Sequence, residues 1–354
     1  MQFNTSLRCS GSTEMNPYRY ILRRLLFGML VLICVVTITF ILSRSLGGNT
    51  VAAWLGRSAS MHPELAKLYA EKYHLNDPIA VQFYYYVVNL LEGNLGFSPS
   101  RGFQPVTLVI SMTLPYTLQI ASFAFLISVV LGVLLGVLSA QYQHRKVDTC
   151  IRAFYLGGYS SPPFFIALIL LIVFAFKLTI LPTGGAVDIS LDSPSAITGL
   201  PILDAAVEGK MPYFLSSLQH LILPSLALAL VTFGVLTRVL RSSLLEIMHA
   251  NYIRTARAKG LEENTVFFKH ALRNAMISVV TISSLMVTWL ITGTIFVENI
   301  FAYPGMGQYV VQAVGGQDYP GILGTTIVFA VVIVVTNLVA DILYAVVDPQ
   351  IRLG

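Results

Sequence analysis

Hydrophobic residues in this chain run in long blocks and do not alternate or form helical stripes. No Asp, Glu, Lys or Arg falls within Leu25–Ser43, Gly102–His144, Ala153–Phe176, Met211–Thr237, Asn274–Val297 or Tyr319–Ala340. A helix needs about 20 mostly apolar residues to cross the hydrocarbon core of a bilayer, so each block predicts one crossing and the chain predicts six. Helices that are apolar on every side leave no face for water, which argues against a soluble bundle of amphipathic helices. The pattern predicts an all-α, polytopic membrane protein. It divides into a polar tail at 1–18, a first transmembrane helix at 19–43, a large loop at 44–106, and a five-helix core over 107–350.

The first block is longer than the ~7–15-residue apolar core of a secretion signal, and Leu46-Gly47-Gly48 makes a poor cleavage site. It reads as a retained helix. In the tail, Met15, ahead of Asn16-Pro17-Tyr18, is a second candidate for the natural start.

Breakers punctuate two of the spans. Gly132-x-x-x-Gly136 in the second is a small-residue pair of the kind that lets helices approach closely in lipid. The third carries Gly157-Gly158 and Pro162-Pro163, which predict a kink. Backbone groups released at membrane depth need protein or a water-filled cavity beside them. Ordinary packing and the lining of a translocation path are both consistent with that kink.

Composition agrees with lipid. Charged residues make up 11% and hydrophobic ones 55%, against about 25% charged in soluble domains. Charge also sets orientation. With both termini in the cytoplasm, fifteen of the twenty-two Lys and Arg fall inside, and the outer positives sit mostly in the long first loop, where they count least. The prediction is N-in, C-in, and the net charge of +5 is a topological bias rather than a nucleic-acid surface. Cys9, Cys34 and Cys150 form no disulfide framework.

In the extracytoplasmic loop, Pro63–His74 predicts a short helix, with Leu65, Leu68, Tyr69 and Tyr73 at helical spacing. Asn76-Asp77-Pro78 breaks it, and Val81–Leu91 predicts a second helix whose Phe83, Tyr84, Tyr85 and Tyr86 suit a membrane interface. The outer loop at 178–218, rich in Pro and Gly, is expected to be irregular and to lie at the mouth of any pathway.

The segment Arg241–Arg273 between the fourth and fifth spans is far longer than the ~2–8 residues a helix hairpin needs. Its centre, Tyr252-Ile253-Arg254-Thr255-Ala256-Arg257-Ala258-Lys259-Gly260-Leu261, predicts a helix that Gly260 ends in the left-handed conformation. Arg254, Arg257 and Lys259 leave Tyr252, Ala256 and Gly260 as a smooth strip. On spacing alone, two readings stand. The strip fits a groove on a partner protein, or the basic helix rests on anionic lipid.

This stretch resembles the cytoplasmic loop motif of binding-protein-dependent ABC importer permeases: Glu-Ala-Ala, three residues, Gly, nine residues, then Ile-x-Leu-Pro. Thr255-Ala256-Arg257 stands for the triplet, Gly260 for the glycine, and His270-Ala271-Leu272-Arg273-Asn274 follows at the second position. These departures from the general form resemble the dipeptide, oligopeptide and nickel branch, and within it a permease of the B type. Further similarities lie in His74-Leu75-Asn76-Asp77-Pro78, Gly93-Asn94-Leu95-Gly96, Thr113-Leu114-Pro115-x-Thr117-Leu118 and His220-Leu221-Ile222-Leu223-Pro224. Val297-Glu298-Asn299-Ile300-Phe301-x-Tyr303-Pro304-Gly305-Met306-Gly307, Asp318-Tyr319-Pro320 and Asp341-x-x-Tyr344-x-x-x-Asp348-Pro349 complete the set.

The resemblance implies a type I importer bundle whose loop helix docks on an ATPase subunit. It also implies a second related permease, two ATPase subunits that use ATP and Mg, and an external solute-binding protein. Within this chain no cofactor is expected, and no phosphate-binding Gly-x-x-x-x-Gly-Lys-[Ser/Thr] occurs. The branch handles dipeptides, longer peptides and nickel, and some relatives carry oligosaccharides; peptide is the expectation here.

Single residues take two readings each. Asp341 near the inner end of the last span is either functional or a structural partner of Arg238 or Arg241, the latter being favoured. Glu298 either meets substrate or binding protein, or is a solvated carboxylate. His62, His74 and His220 lack neighbours at metal-ligand spacing, and Ser160-Ser161 has no paired base. A stand-alone secondary transporter would call for charges at midspan and an internal repeat, and an intramembrane enzyme for a nucleophile and base within the spans. None is seen.

Overall fold

The computed structural model describes residues 17–45, 63–72 and 74–347. Cys9, Met15, His62, Tyr73 and Asp348, together with Leu46-Gly47-Gly48, lie outside the described residues. The chain is a bundle of helices: α1 Pro17–Ser45, α2 Pro63–Lys72, α3 Ile79–Leu91, α4 Val106–Gln141, α5 Lys146–Ser160, α6 Pro163–Leu170, α7 Pro201–Glu208, α8 Met211–Met248, α9 Asn251–Ala258, α10 Arg273–Ile300, α11 Met306–Gly315 and α12 Tyr319–Val347. Wider, π-type turns extend α6 over Leu171–Lys177 and lead into α10 over Thr265–Leu272. A two-residue antiparallel ladder pairs β1 (Phe97–Ser98) with β2 (Gln104–Pro105).

Among the described residues, five helical stretches are long and apolar enough to cross a membrane: Leu22–Leu42, Val106–Gln141, Met211–Met248, Thr265–Ile300 and Tyr319–Ile342. The third expected span differs. Lys146–Ser160 and Pro163–Lys177 meet at 109°, which is a break rather than a kink within one helix. Two adjacent prolines account for it. A residue before proline is pushed out of the helical region, so Ser161 (ψ 138°) and Pro162 (ψ 144°) are both extended. Single prolines have no such effect: Pro115 and Pro224 lie inside α4 and α8, which run on through them.

The long helix α8 is the hub, packed against α4, α5, α6, α7 and α10. It buries Leu221, Leu228, Phe233, Leu236, Leu240 and Leu244. The expected close approach of α4 is made here: a Cβ on Gly132 would stand 2.6 Å from Leu236 Cβ, and one on Gly136 would stand 3.0 Å from Leu240 Cβ. By contrast α1 turns Leu22, Leu26, Phe27 and Ile33 outward and lies against α12, with Gly28 under Val334. Such apolar faces suit lipid.

The aromatic helix α3 covers the other end of α1. Phe83 and Tyr86 pack on the buried Phe40 at 5.1 and 5.4 Å, and Tyr85 stacks on His74 at 3.7 Å, while Tyr84 stays exposed. Gln82 fastens the preceding turn by donating to the carbonyls of Leu75 and Asp77. The outer loop at 178–218 is not irregular throughout: Pro201 starts α7, and Gly209 ends it at φ +73°. Its Gly185 N–H bonds the Phe301 carbonyl at 2.9 Å, holding the loop to the end of α10.

Candidate functional site

The segment between α8 and α10 is built as a short helix on a buried foot. α8 stops at Met248, and an extended Ala250 (ψ 150°) turns the chain into α9. Ile253 is fully buried in the same apolar cluster as Val266, Phe267 and Ala271, and Ala256, one turn on, packs against it. Burying one edge of α9 in this way holds a helix that is too short to stand alone. Gly260 closes the segment at φ +77°, its N–H donating to the Arg257 carbonyl. A side chain there would meet nothing within 4 Å; backbone conformation, not space, selects glycine.

The exposed face corrects the sequence expectation. Tyr252, Ala256 and Gly260 do not form an outward strip, because Ala256 faces the core. The exposed residues from 251 to 261 are Asn251, Tyr252, Arg254, Thr255, Arg257, Ala258, Lys259, Gly260 and Leu261. The fork of Arg257 holds Glu263 at 2.6 and 3.0 Å, which keeps that carboxyl below its usual range. The second half of the sequence motif returns to α9: Asn274 Nδ2 donates to Tyr252 Oη at 3.2 Å and to the His270 carbonyl at 2.8 Å. His270 is half-buried and Arg273 exposed.

At the opposite end of the bundle, Glu298 is neither solvated nor in a loop. It lies in the last turn of α10 with no exposed surface. Its Oε1 accepts the Thr117 hydroxyl at 2.7 Å, and its Oε2 accepts the N–H groups of Gly307 (2.6 Å) and Gln308 (3.1 Å). Thr117 in turn accepts the Met306 N–H at 2.9 Å. The first three N–H groups of α11, which no helix satisfies internally, are therefore met by α4 and α10, with a carboxylate at the positive end of the helix dipole. Gly305 and Gly307 are small for want of room: a Cβ on the first would fall 2.3 Å from Glu298 Cδ, and on the second 2.5 Å from Ile295 Cα. Tyr303 is buried, with its N–H on the Glu298 carbonyl and its hydroxyl on Gln119 Oε1 at 3.3 Å; Pro304 is half-buried.

Asp318, also fully buried, does the same for α12. Its Oδ1 accepts the Gly321 N–H at 2.8 Å, and its Oδ2 accepts the hydroxyls of Ser98 and Ser100 (2.6 Å to the latter).

The α9 end carries ion pairs. Asp341 pairs with Arg24 of α1 at 2.9 Å and not with Arg238 or Arg241. Arg241 is instead committed to Asp148, at 2.9 Å from both of its oxygens. Asp148 was not singled out in the sequence, although it is the only acidic residue between Glu92 and Asp188. Near the break between α5 and α6, Gly158 packs where a Cβ would lie 2.3 Å from the Leu230 carbonyl oxygen, whereas Gly157 faces open space. Ser161 Oγ bonds the Gly157 carbonyl, and Pro162 and Pro163 form the corner itself.

A bundle of apolar helices long enough to cross a bilayer, with a short, basic, exposed helix between two of them, defines a polytopic membrane protein. Residues 132–353 match the binding-protein-dependent transport system inner membrane component, and residues 17–121 match the N-terminal part of such membrane components. The chain belongs to this family of permeases. It is 38% identical to the probable D,D-dipeptide transport system permease protein DdpB of Escherichia coli over 94% of this chain and 98% of that one. Identity is 36% to the oligopeptide transport system permease protein AppB of Bacillus subtilis, over 94% of this chain and 99% of that one. Among solved structures, the inward-facing MetNI methionine ABC transporter superposes with a TM-score of 0.52 at 14% identity, covering 68% of this chain and 97% of that one. The protein is thus a multi-pass permease of the cell membrane, in a family whose members work with ATPase and binding-protein partners.

Proposed function

We propose that this chain is one of two related permease subunits of an ABC importer for peptides, with six crossings and both termini in the cytoplasm. The broken pair α5–α6 serves as the third crossing. Two separate ATPase subunits bind at α9 and drive the spans, an external binding protein delivers the substrate, and the core over 107–350 forms the path with its partner. The observation that carries this reading is α9 itself, rooted through Ile253 in the core between two spanning helices while Arg254, Thr255, Ala258 and Lys259 stay exposed. A push on α9 is delivered to both spans. The names of the relatives, which transport dipeptides and oligopeptides, support the substrate class.

The test is uptake into vesicles holding the complete complex, wild type against Gly260→Arg. A side chain at φ +77° costs about 1–2 kcal/mol locally and places a bulky cation on the docking face. Uptake is expected to fall at least about tenfold while the chain stays inserted. Uptake without any ATPase, or indifference to the substitution, would overturn the reading. Competition by dipeptides, by oligosaccharides and by nickel in the same assay separates the substrate classes.

A further inference from the structure

One ionic cluster at the α9 end lies outside the loop motif. Asp148, in the first turn of α5, has no exposed surface. Its carboxylate takes the guanidinium fork of Arg241 at 2.9 Å on each oxygen, the Ser139 hydroxyl at 2.5 Å and the His144 N–H at 3.2 Å. The guanidinium of Arg152 stands 3.6 Å away. A single carboxylate thus gathers the end of α4, the turn after it and the start of α5, and fastens all three to α8.

The place of that fastening matters. Arg241 lies about two helical turns before the end of α8 at Met248, and only His249 and Ala250 separate that end from α9. Further along, α5 touches α8 where Gly158 meets the Leu230 carbonyl and Gly234 meets Tyr155. Those are smooth contacts that permit small sliding, as in shear between packed helices. A two-point guanidinium–carboxylate fork resists both sliding and rotation. Beyond Gly158, α5 runs into the break at Ser161-Pro162-Pro163.

We propose that Asp148 and Arg241 are positioning residues of the transport cycle. They compel α5 to travel with α8, so that displacement of α9 reaches the broken α5–α6 segment. This rests on the reading of α9 as the site of ATPase coupling. The competing account is that the half-buried Arg241 merely balances the buried charge of Asp148. The two accounts differ in what a neutral pair does, because replacing both partners of a buried ion pair removes the cost of an orphaned charge.

The experiment uses the full complex in vesicles, with peptide uptake and ATP hydrolysis measured together. Asp148→Asn with Arg241→Met keeps an acceptor for the His144 N–H, turns the amide N–H toward the Ser139 hydroxyl oxygen, and cuts the tie to α8. The double variant is expected to assemble and hydrolyse ATP, with uptake per ATP reduced about fivefold or more. Wild-type uptake per ATP in that variant would overturn the proposal. Arg241→Lys keeps the charge and loses the fork, and serves if the double variant does not assemble. It is expected to lower uptake per ATP about twofold or more, and an unchanged ratio again overturns the proposal. If wild-type uptake itself needs no ATPase, the coupling reading has failed instead, which the wild-type arm detects on its own.

Discussion

The two ends of the bundle hold their buried and half-buried carboxylates by different means. At the α11 end, Glu298 and Asp318 are satisfied by backbone N–H groups and hydroxyls, with no cation among the hydrogen bonds they accept. At the α9 end, Asp148 is held by the guanidinium of Arg241, and Asp341 by that of Arg24. A helix N-terminus is a fixed partial charge that orients what it binds, and it suits a junction meant to stay in one geometry. Side-chain pairs between long helices tie elements that are separate in sequence, and they can hand on a displacement. The difference also follows the charge distribution of the chain. Arginines are concentrated on the face assigned to the cytoplasm, as the positive-inside rule leads one to expect, so a buried acid at the other face needs helix ends instead.

This contrast breaks most readily at Gly307. A methyl group there would fall 2.5 Å from Ile295 Cα and 2.9 Å from Glu298 Oε2, and backbone gives way less than a side chain does. Gly307→Ala is expected to cost about 1–3 kcal/mol or more from overpacking, seen as a lower melting midpoint of the purified protein in detergent. The exposed Gly157, with nothing within 4 Å, is the control; Gly157→Ala is expected to be neutral or slightly stabilising. A loss at least as large separates Glu298→Ala from Glu298→Gln. The alanine strands two N–H groups and a hydroxyl, at about 1–3 kcal/mol for each buried group left unmet. The glutamine keeps an oxygen for the two N–H groups, puts an amide N–H where Oε1 accepted the Thr117 hydroxyl, and forfeits the charge at the helix end, the last a matter of about 0.3–1 kcal/mol. Equal melting midpoints for the two variants would mean that the carboxylate is not what fixes α11.

Much of this architecture was legible in the sequence. The apolar blocks gave the spanning helices because a bilayer imposes length and composition directly. Gly260 announced its left-handed turn because nothing else in the segment suits one. What the sequence concealed depends on contacts between distant helices. Arg241 and Asp148 are 93 positions apart, and the isolation of Asp148 among apolar residues was the one available signal. Glu298 was ambiguous because its partners come from α4 and from a helix that begins eight residues later. Ala256 looked like part of a surface strip until Ile253 fixed which edge of α9 is buried. The break at Pro162-Pro163 was underestimated because a single proline bends a helix, whereas two in succession force two consecutive residues out of it.

The account stands on α9 and α11 facing opposite sides of the membrane, with α9 against an ATPase. The direct measurement is thiol labelling in a background of Cys9→Ser, Cys34→Ser and Cys150→Ser, with Thr255→Cys or Gln312→Cys added, since both positions are exposed. With a membrane-impermeant maleimide, Gln312→Cys is expected to react in intact cells. Thr255→Cys is expected to react only after permeabilisation and, with a bifunctional maleimide–succinimidyl ester that also takes a lysine, to cross-link to an ATPase subunit. Labelling of Thr255→Cys in intact cells would place α9 outside the cytoplasm and contradict the account.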